Sequence, residues 1–153
     1  MMFTNVLVTG GTGFLGSRLK KVKPDWNYIS SKDYDLTDPK SCQKMYEDIK
    51  PDAVIHLAAK VGGIKENTIK QADFYYQNVM INTNVIHSAQ KYGVKRTLSA
   101  LSTCSFPAFN ANYPFTEKDI LSGPPAKSNL SYGLSKRALF VQSNSYREQY
   151  GLN

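Results

Sequence analysis

Near the start of the sequence the run NVLVTG (residues 5–10) passes through glycines straight into FLGSRLKKV (14–22). The first stretch is short, apolar and β-branched. The second carries Phe14, Leu15, Leu19 and Val22 at helical spacing on one side, so it reads as a helix packing through that side. The rest of the chain repeats this alternation. WNYIS (26–30) is a second strand after Pro24, and Asp38-Pro39 opens a helix that runs to about Lys50, where Pro51 stops it. AVIHLAA (53–59) is a third strand. A helix at roughly 71–92 is closed by Gly93. KRTLSALS (95–102) is a fourth strand, and SYGLSKRALFVQSNSYREQYG (131–151) a last helix. Alternation of this kind implies parallel strands joined by right-handed helical crossovers, an α/β doubly wound sheet of Rossmann type. Near-continuous apolar strands agree, since such strands are covered on both faces.

Length and composition limit what such a chain can do. Its 153 residues make one domain, or most of one, and 41% hydrophobic with 20% charged residues is ordinary for a globular protein. No window approaches the ~18 uninterrupted apolar residues of a membrane helix. The opening MMFTNVLVTGG lacks the basic and apolar regions of a secretory leader. Cys42 and Cys104 are too few for a disulfide framework, which points to a reducing, cytoplasmic setting. The net charge of +7 comes from scattered lysines with no basic stripe interleaved with aromatics. It reads as solvated surface with a share available to the phosphates of a nucleotide, and no nucleic-acid or membrane partner is expected. His56, before Leu-Ala-Ala in a strand, reads as structural, and His87 as a surface or interface residue. Neither has metal-ligand company, so no metal is expected.

VTGGTGFLGS spaces Gly10, Gly13 and Gly16 three apart, between a strand and a helix. Gly10 suits a tight turn, Gly13 a close approach of backbone to a pyrophosphate, and Gly16 close packing of helix on sheet. The helix N-terminus adds partial positive charge for the phosphates. A plain strand-to-helix turn would also need glycine, but this context is that of a dinucleotide loop. Cofactor choice is read about 20 residues on, at the end of the second strand. There ISSKDYDL offers Ser30, Ser31 and Lys32 before Asp33. Two hydroxyls and an ammonium suit the 2′-phosphate of NADP; the alternative is that Lys32 is solvated and Asp33 turns inward for NAD.

LSTCSFP (101–107) ends the fourth strand, and SYGLSKRA (131–138) opens the last helix. Tyr132 and Lys136 are four apart on one helical face, where an ammonium beside a phenol would draw the phenol's pKa down from about 10 and make it a proton donor to a carbonyl oxygen. Taken alone, the pair could be an amphipathic helix with a surface lysine. Cys104, taken alone, could be a small buried strand-end residue, and Cys42, inside a helix, reads as structural.

Together VTGGTGFLGS, SSKDYDLTD, VIHLAAKVGG, FYYQNVMINTNVIHSAQKYGV, LSTCSFP and SYGLSKRA resemble the extended short-chain dehydrogenase/reductases, and within them the GDP-L-fucose synthase family, over residues 4–151. HLAAKVGG and the Ser-x-Cys motif are the discriminating parts. The resemblance implies conversion of GDP-4-keto-6-deoxy-mannose to GDP-L-fucose by epimerisation at C3 and C5 and reduction at C4 with NADPH. Carried over by position, Ser102 and Tyr132 bind the C4 oxygen, Tyr132 donates the proton, Lys136 holds the nicotinamide ribose, and Cys104 is the epimerisation base. A ketone at C4 acidifies the hydrogens at C3 and C5, which suits a thiol. Cofactor binding falls on Gly10, Gly13, Phe14, Leu15, Gly16, Ser31, Lys32, Leu57, Ala58 and Ala59, with Tyr132 and Lys136. The resemblance also implies a homodimer through the two long helices, with Val79, Ile86, Leu139 and Phe140 divided between sheet and interface. Family members are about twice as long, so residues 1–153 correspond to a partial NADP-binding domain. The second acid/base residue, the GDP-sugar pocket and a C-terminal substrate domain then fall beyond Asn153, and the chain alone is expected not to turn over. A non-catalytic NADP-binding or interaction module, or another nucleotide-sugar epimerase or dehydratase, are the other readings.

Overall fold

A computed structural model describes residues 3–109 and 113–153. The chain divides into two compact units. The first comprises Met1–Ala59, Met80–Ala100 and Gln142–Asn153, and the second Lys60–Val79 and Leu101–Val141.

The first unit holds the sheet. Strands β1 (Val6–Thr9), β2 (Asn27–Ile29), β3 (Ala53–His56) and β4 (Arg96–Ser99) are all parallel, in the order β2-β1-β3-β4. Side chains alternate across a strand, so β1 feeds two cores. Val6 and Val8 pack with Ala53, Leu19 and Trp26, which brings helix α1 (Phe14–Val22) onto one face. His56 faces the other way and bonds Asn82 of helix α4 (Gln71–Lys91), so helices cover both faces, as the alternation predicts. Helix α2 (Pro39–Ile49) adds Cys42, Met45 and Tyr46, all fully buried. Asp38 caps it by accepting from the amides of Lys40 and Ser41, both at 3.1 Å, and Pro39 sits where no helical amide is needed. Lys50 closes it at φ 50°, just before Pro51.

Helix α1 differs from its sequence reading. Phe14, Leu15 and Val22 are 78%, 57% and 72% exposed, and Leu19 alone of the four packs on the core cluster. The reason is Gly16, the buried residue of the helix: a Cβ there would collide with Gly10 O and Gly11. The helix lies so close to the glycine turn that it docks through a glycine rather than through an apolar ridge.

The second unit contains α3 (Ile64–Ile69), residues 71–79 of α4, 3₁₀ turns at Thr103–Ser105, Glu117–Leu121 and Lys127–Asn129, and residues 130–141 of α5 (Leu130–Tyr150). Asn78 ties its first segment together, accepting from the Lys60 amide and donating to the Lys60 and Phe74 carbonyls. Helix α3 falls where the sequence shows no periodic apolar pattern.

Candidate functional site

In the first unit the strand order reverses between β1 and β3, and crevices at such reversals, beyond the carboxyl ends of the strands, are where open α/β sheets bind ligands. The glycine turn leaves the end of β1 at that point. Gly10 has φ 72°, and a Cβ on it would lie 2.8 Å from the Ala58 amide nitrogen, so only glycine allows the turn to pass the end of β3. A buried relay fixes that approach. The Ala58 amide donates to Thr9 Oγ1 (3.2 Å), the Thr9 hydroxyl meets His56 Nδ1 (2.8 Å), and His56 Nε2 donates to Asn82 Oδ1 (3.1 Å). His56, read as structural, holds the third strand's exit in place. The first turn of α1 has no side-chain cap at Gly13, and Phe14 and Leu15 are exposed beside it.

At the end of β2 the outcome is more specific than the sequence suggests. The Asp33 carboxylate accepts from both the amide and the hydroxyl of Ser30, each at 2.8 Å, and these bonds hold its pKa below the usual carboxylate range. Ser30 is buried and occupied with Asp33, which leaves one hydroxyl and the ammonium, Ser31 and Lys32, exposed. Asp33 is committed to its own turn.

The second unit brings the hydroxyl, thiol and phenol of the two motifs together. Ser102 caps the Thr103–Ser105 turn, its hydroxyl accepting from the Cys104 amide at 3.2 Å, and its side chain also hydrogen-bonds Tyr132. Helix α5 meets this turn at Gly133, where a Cβ would overlap the Cys104 carbonyl. Arg137, one turn further along, donates through Nε to Ser105 O and through its guanidinium to Gly123 O, both at 2.6 Å. Neither Gly133 nor Arg137 carries a signal in a single sequence beyond adjacency to Tyr132 and Lys136.

Burial pushes the Tyr132 phenol above its ordinary value, and the Ser102 bond pulls it part of the way back. Burial also brings Lys136, only 2% exposed, down to about 8. The expected lowering of the phenol by Lys136 is therefore not what governs it, because desolvation disfavours both charged forms. Tyr132 is a protonated phenol at neutral pH, already hydrogen-bonded to a serine. Cys104 and Tyr132 line a cavity of about 230 Å³ with loop residues 61–64, Asn67 and Asn129. The other thiol, Cys42, is buried beside Ser88 and pushed up to about 11, which leaves it inert. Among the described residues no group of three or more His, Cys, Asp or Glu side chains could hold a metal.

A family model matches residues 6–153. The chain belongs to the NAD dependent epimerase/dehydratase family. Its curated relatives include a probable GDP-L-fucose synthase of Drosophila melanogaster, 42% identical over 95% of this chain and 47% of its own length. The GDP-L-fucose synthase of Dictyostelium discoideum is 39% identical over 95% of this chain and 48% of its own. Among solved structures, a GDP-L-fucose synthetase of Naegleria fowleri bound to NADP superposes with a TM-score of 0.84 at 38% identity, over 97% of this chain and 50% of that one. The chain spans about half the length of the curated relatives it matches.

Proposed function

We propose that residues 1–153 form the NADP-binding part of a nucleotide-sugar epimerase/reductase that converts GDP-4-keto-6-deoxy-mannose to GDP-L-fucose. The observation that carries this reading is the cavity where Cys104 and Tyr132 meet, with Ser102 bonded to Tyr132 and capping the cysteine's own turn. An epimerase/reductase of a ketone needs an acid at the carbonyl oxygen and a base near its α-carbons, and these side chains are of the right kinds.

In this reading Ser102 and the protonated Tyr132 hydrogen-bond the C4 oxygen. Cys104, as thiolate, takes hydrogen from C3 or C5 as a proton, and the electron pair left behind moves into the carbonyl, whose oxygen stays on Ser102 and Tyr132. Inversion is completed when a second acid, which the family resemblance puts beyond Asn153, returns a proton to the opposite face. In the reduction Tyr132 delivers its proton to the C4 oxygen, and Lys136, buried on the same helix, is assigned to the nicotinamide ribose. NADPH, when bound, supplies a hydride to the carbonyl carbon. The residues of the first unit fit a dinucleotide. The glycine turn packs closely on itself and on the residues after β3, which brings its backbone and the uncapped first turn of α1 to the sheet reversal, and the exposed Ser31 and Lys32 can meet a 2′-phosphate. Gly10, Gly13, Phe14, Leu15, Gly16, Leu57, Ala58 and Ala59 are assigned to this role, and Tyr132 and Lys136 to the nicotinamide end. The NADP complex of the N. fowleri protein supports that choice.

The same reading carries a two-fold dimer through α4 and α5. Ile86 and Leu139 are fully buried within the chain, so the contact falls to exposed Tyr75, Tyr76 and Val141 and the half-exposed Val79 and Phe140. It also carries a cytoplasmic setting, in keeping with two free cysteines. The test is titration of the chain with NADPH and with the keto-sugar, followed by backbone amide shifts and by iodoacetamide labelling of Cys104. NADPH is expected to shift the amides of residues 10–16 and 31–32, and the keto-sugar to protect Cys104. Saturating ligand with neither effect would refute the assignment.

A further inference from the structure

Ser30 and Asp33 form a closed clasp at the end of β2. Oδ2 of the Asp33 carboxylate accepts from the Ser30 amide and from the Ser30 hydroxyl, each at 2.8 Å. The bonding is returned. Ser30 O accepts from the amides of Asp33 and Tyr34 at 3.1 and 3.2 Å, and Ser30 Oγ accepts from the Lys32 amide at 3.3 Å. Ser30 is 9% exposed, whereas Ser31, Lys32 and Asp33 are exposed. None of these bonds uses the Ser31 amide, the Ser31 hydroxyl or the Lys32 ammonium, and those three donors belong to the arc that the clasp closes.

The clasp is anchored to the glycine turn. Gly11 donates its amide to Ile29 O, the carbonyl immediately before Ser30, at 2.8 Å, and a Cβ on Gly11 would lie 2.7 Å from Tyr28 Cβ. The backbone assigned to the pyrophosphate and the arc assigned to the adenosine ribose are therefore held at a fixed spacing. Within that arc the charges compete. A free carboxylate at this position accepts the ribose hydroxyls of NAD and repels a 2′-phosphate. Hydrogen bonds to an ionised carboxylate are strong, and two of them draw this one back onto the end of β2, with Lys32 as the cation beside it.

We propose that Ser30 sets cofactor choice in this protein: its amide and hydroxyl keep the Asp33 carboxylate off the ribose, so that the arc offers Ser31 and Lys32 to the 2′-phosphate of NADP. Ser30 is then a positioning residue that acts through Asp33 and touches no part of the cofactor. The inference rests on the functional reading above, which assigns NADP to this unit, and adds what turns NAD away.

The test is a cycle of cofactor and side-chain changes on the 153-residue chain, read by titration calorimetry with NADP and with NAD. Ser30→Ala removes one of the two donors to Asp33 and is expected to lower the preference for NADP over NAD about fivefold or more. Adding Asp33→Asn takes away the released charge and is expected to bring the preference back to within about twofold of the original. A turn that had merely lost rigidity would weaken both cofactors alike and would not recover. In the unaltered chain NADP is expected to shift the amide resonances of Ser31 and Lys32 and to leave that of Ser30, still bonded to Asp33, in place. That reading stands even if the variants fold poorly. A preference unchanged in Ser30→Ala, a fall that Asp33→Asn does not reverse, or a Ser30 amide that moves with NADP as far as its neighbours would each overturn the inference and leave the functional reading standing. An unaltered chain that binds neither cofactor, or binds NAD the more tightly, would overturn the NADP assignment and this inference together.

Discussion

Replacing Gly133 by alanine sets two effects of opposite sign against each other. Gly133 lies in the first turn of a 21-residue helix, where alanine is worth up to about 1 kcal/mol over glycine from helix propensity alone. The structure places something in the way. A Cβ at 133 would overlap the Cys104 carbonyl, and it would lie 3.1 Å from Pro125 Cβ and 3.2 Å from the Cys104 carbonyl carbon. The obstacle is backbone in a short turn, which cannot swing aside as the end of a long side chain would. Overpacking of this kind costs about 1–3 kcal/mol. The clash wins, and the variant is expected to lose roughly 1–2 kcal/mol net, a fall in Tm of about 2–8 °C for a chain of this size. Relief comes by pushing the Thr103–Ser105 turn away from α5, so the Ser102–Tyr132 hydrogen bond stretches and the reactivity of Cys104 toward iodoacetamide changes. Thermal unfolding followed by circular dichroism, with labelling kinetics on the same samples, checks both. A Gly133→Ala chain that melts higher than the original, with Cys104 labelled at an unchanged rate, would show that the turn does not press on the helix and would refute the reasoning.

Other expectations follow from the same contacts. Arg137→Lys keeps the charge but cannot span two carbonyls; with charge-assisted bonds worth about 1.5–3 kcal/mol each and partial exposure reducing that, the loss is about 2–3 kcal/mol in total, checked by the urea midpoint at unchanged slope. Lys136 has its folded pKa lowered to about 8, so between about pH 8 and the ordinary lysine value of ~10.4 the unfolded chain binds more protons and stability rises with pH. Lys136→Met is expected to flatten that rise in denaturant titrations at pH 7.5 and 9.5. Lys32→Glu puts a carboxylate where an exposed ammonium now stands, and is expected to weaken NADP about tenfold or more by calorimetry while sparing NAD. Light scattering at tens of micromolar is expected to give twice the monomer mass if α4 and α5 pair across a two-fold axis.

The parallel order of β1 to β4 was legible because strand and helix alternate with clean punctuation: Asp38-Pro39 before α2, Pro51 after it, Gly93 after α4. Periodicity misled at α1, where Phe14, Leu15 and Val22 share a side that the sheet does not cover, since the contact is made by Gly16. Helix α3 went unread because IKENTI is too short and too polar to show a period. In the cavity, Tyr132 could be picked out by its spacing from Lys136, and Cys104 by the family resemblance. Gly133, Arg137 and Asn67 could not, because what each does depends on a partner that only folding supplies. Gly133 and Arg137 meet the Cys104 turn from about thirty residues away in sequence. Asn67 clamps its loop by donating to the Gly62 and Gly63 carbonyls. Ser30 reads from sequence as one of two hydroxyls for a 2′-phosphate, and Asp33 as a ligand only in the alternative NAD reading; their mutual hydrogen bonds occupy both.

The account turns on Cys104 acting as a base on carbons next to a carbonyl held by Ser102 and Tyr132. Solvent-deuterium uptake at C3 and C5 of GDP-4-keto-6-deoxy-mannose, followed by proton NMR in D₂O, reads that step without requiring turnover. The chain is expected to speed exchange at both carbons above the buffer rate, Cys104→Ser to abolish the acceleration, and Cys42→Ser to leave it intact. Exchange that proceeds equally well in Cys104→Ser would contradict the claim.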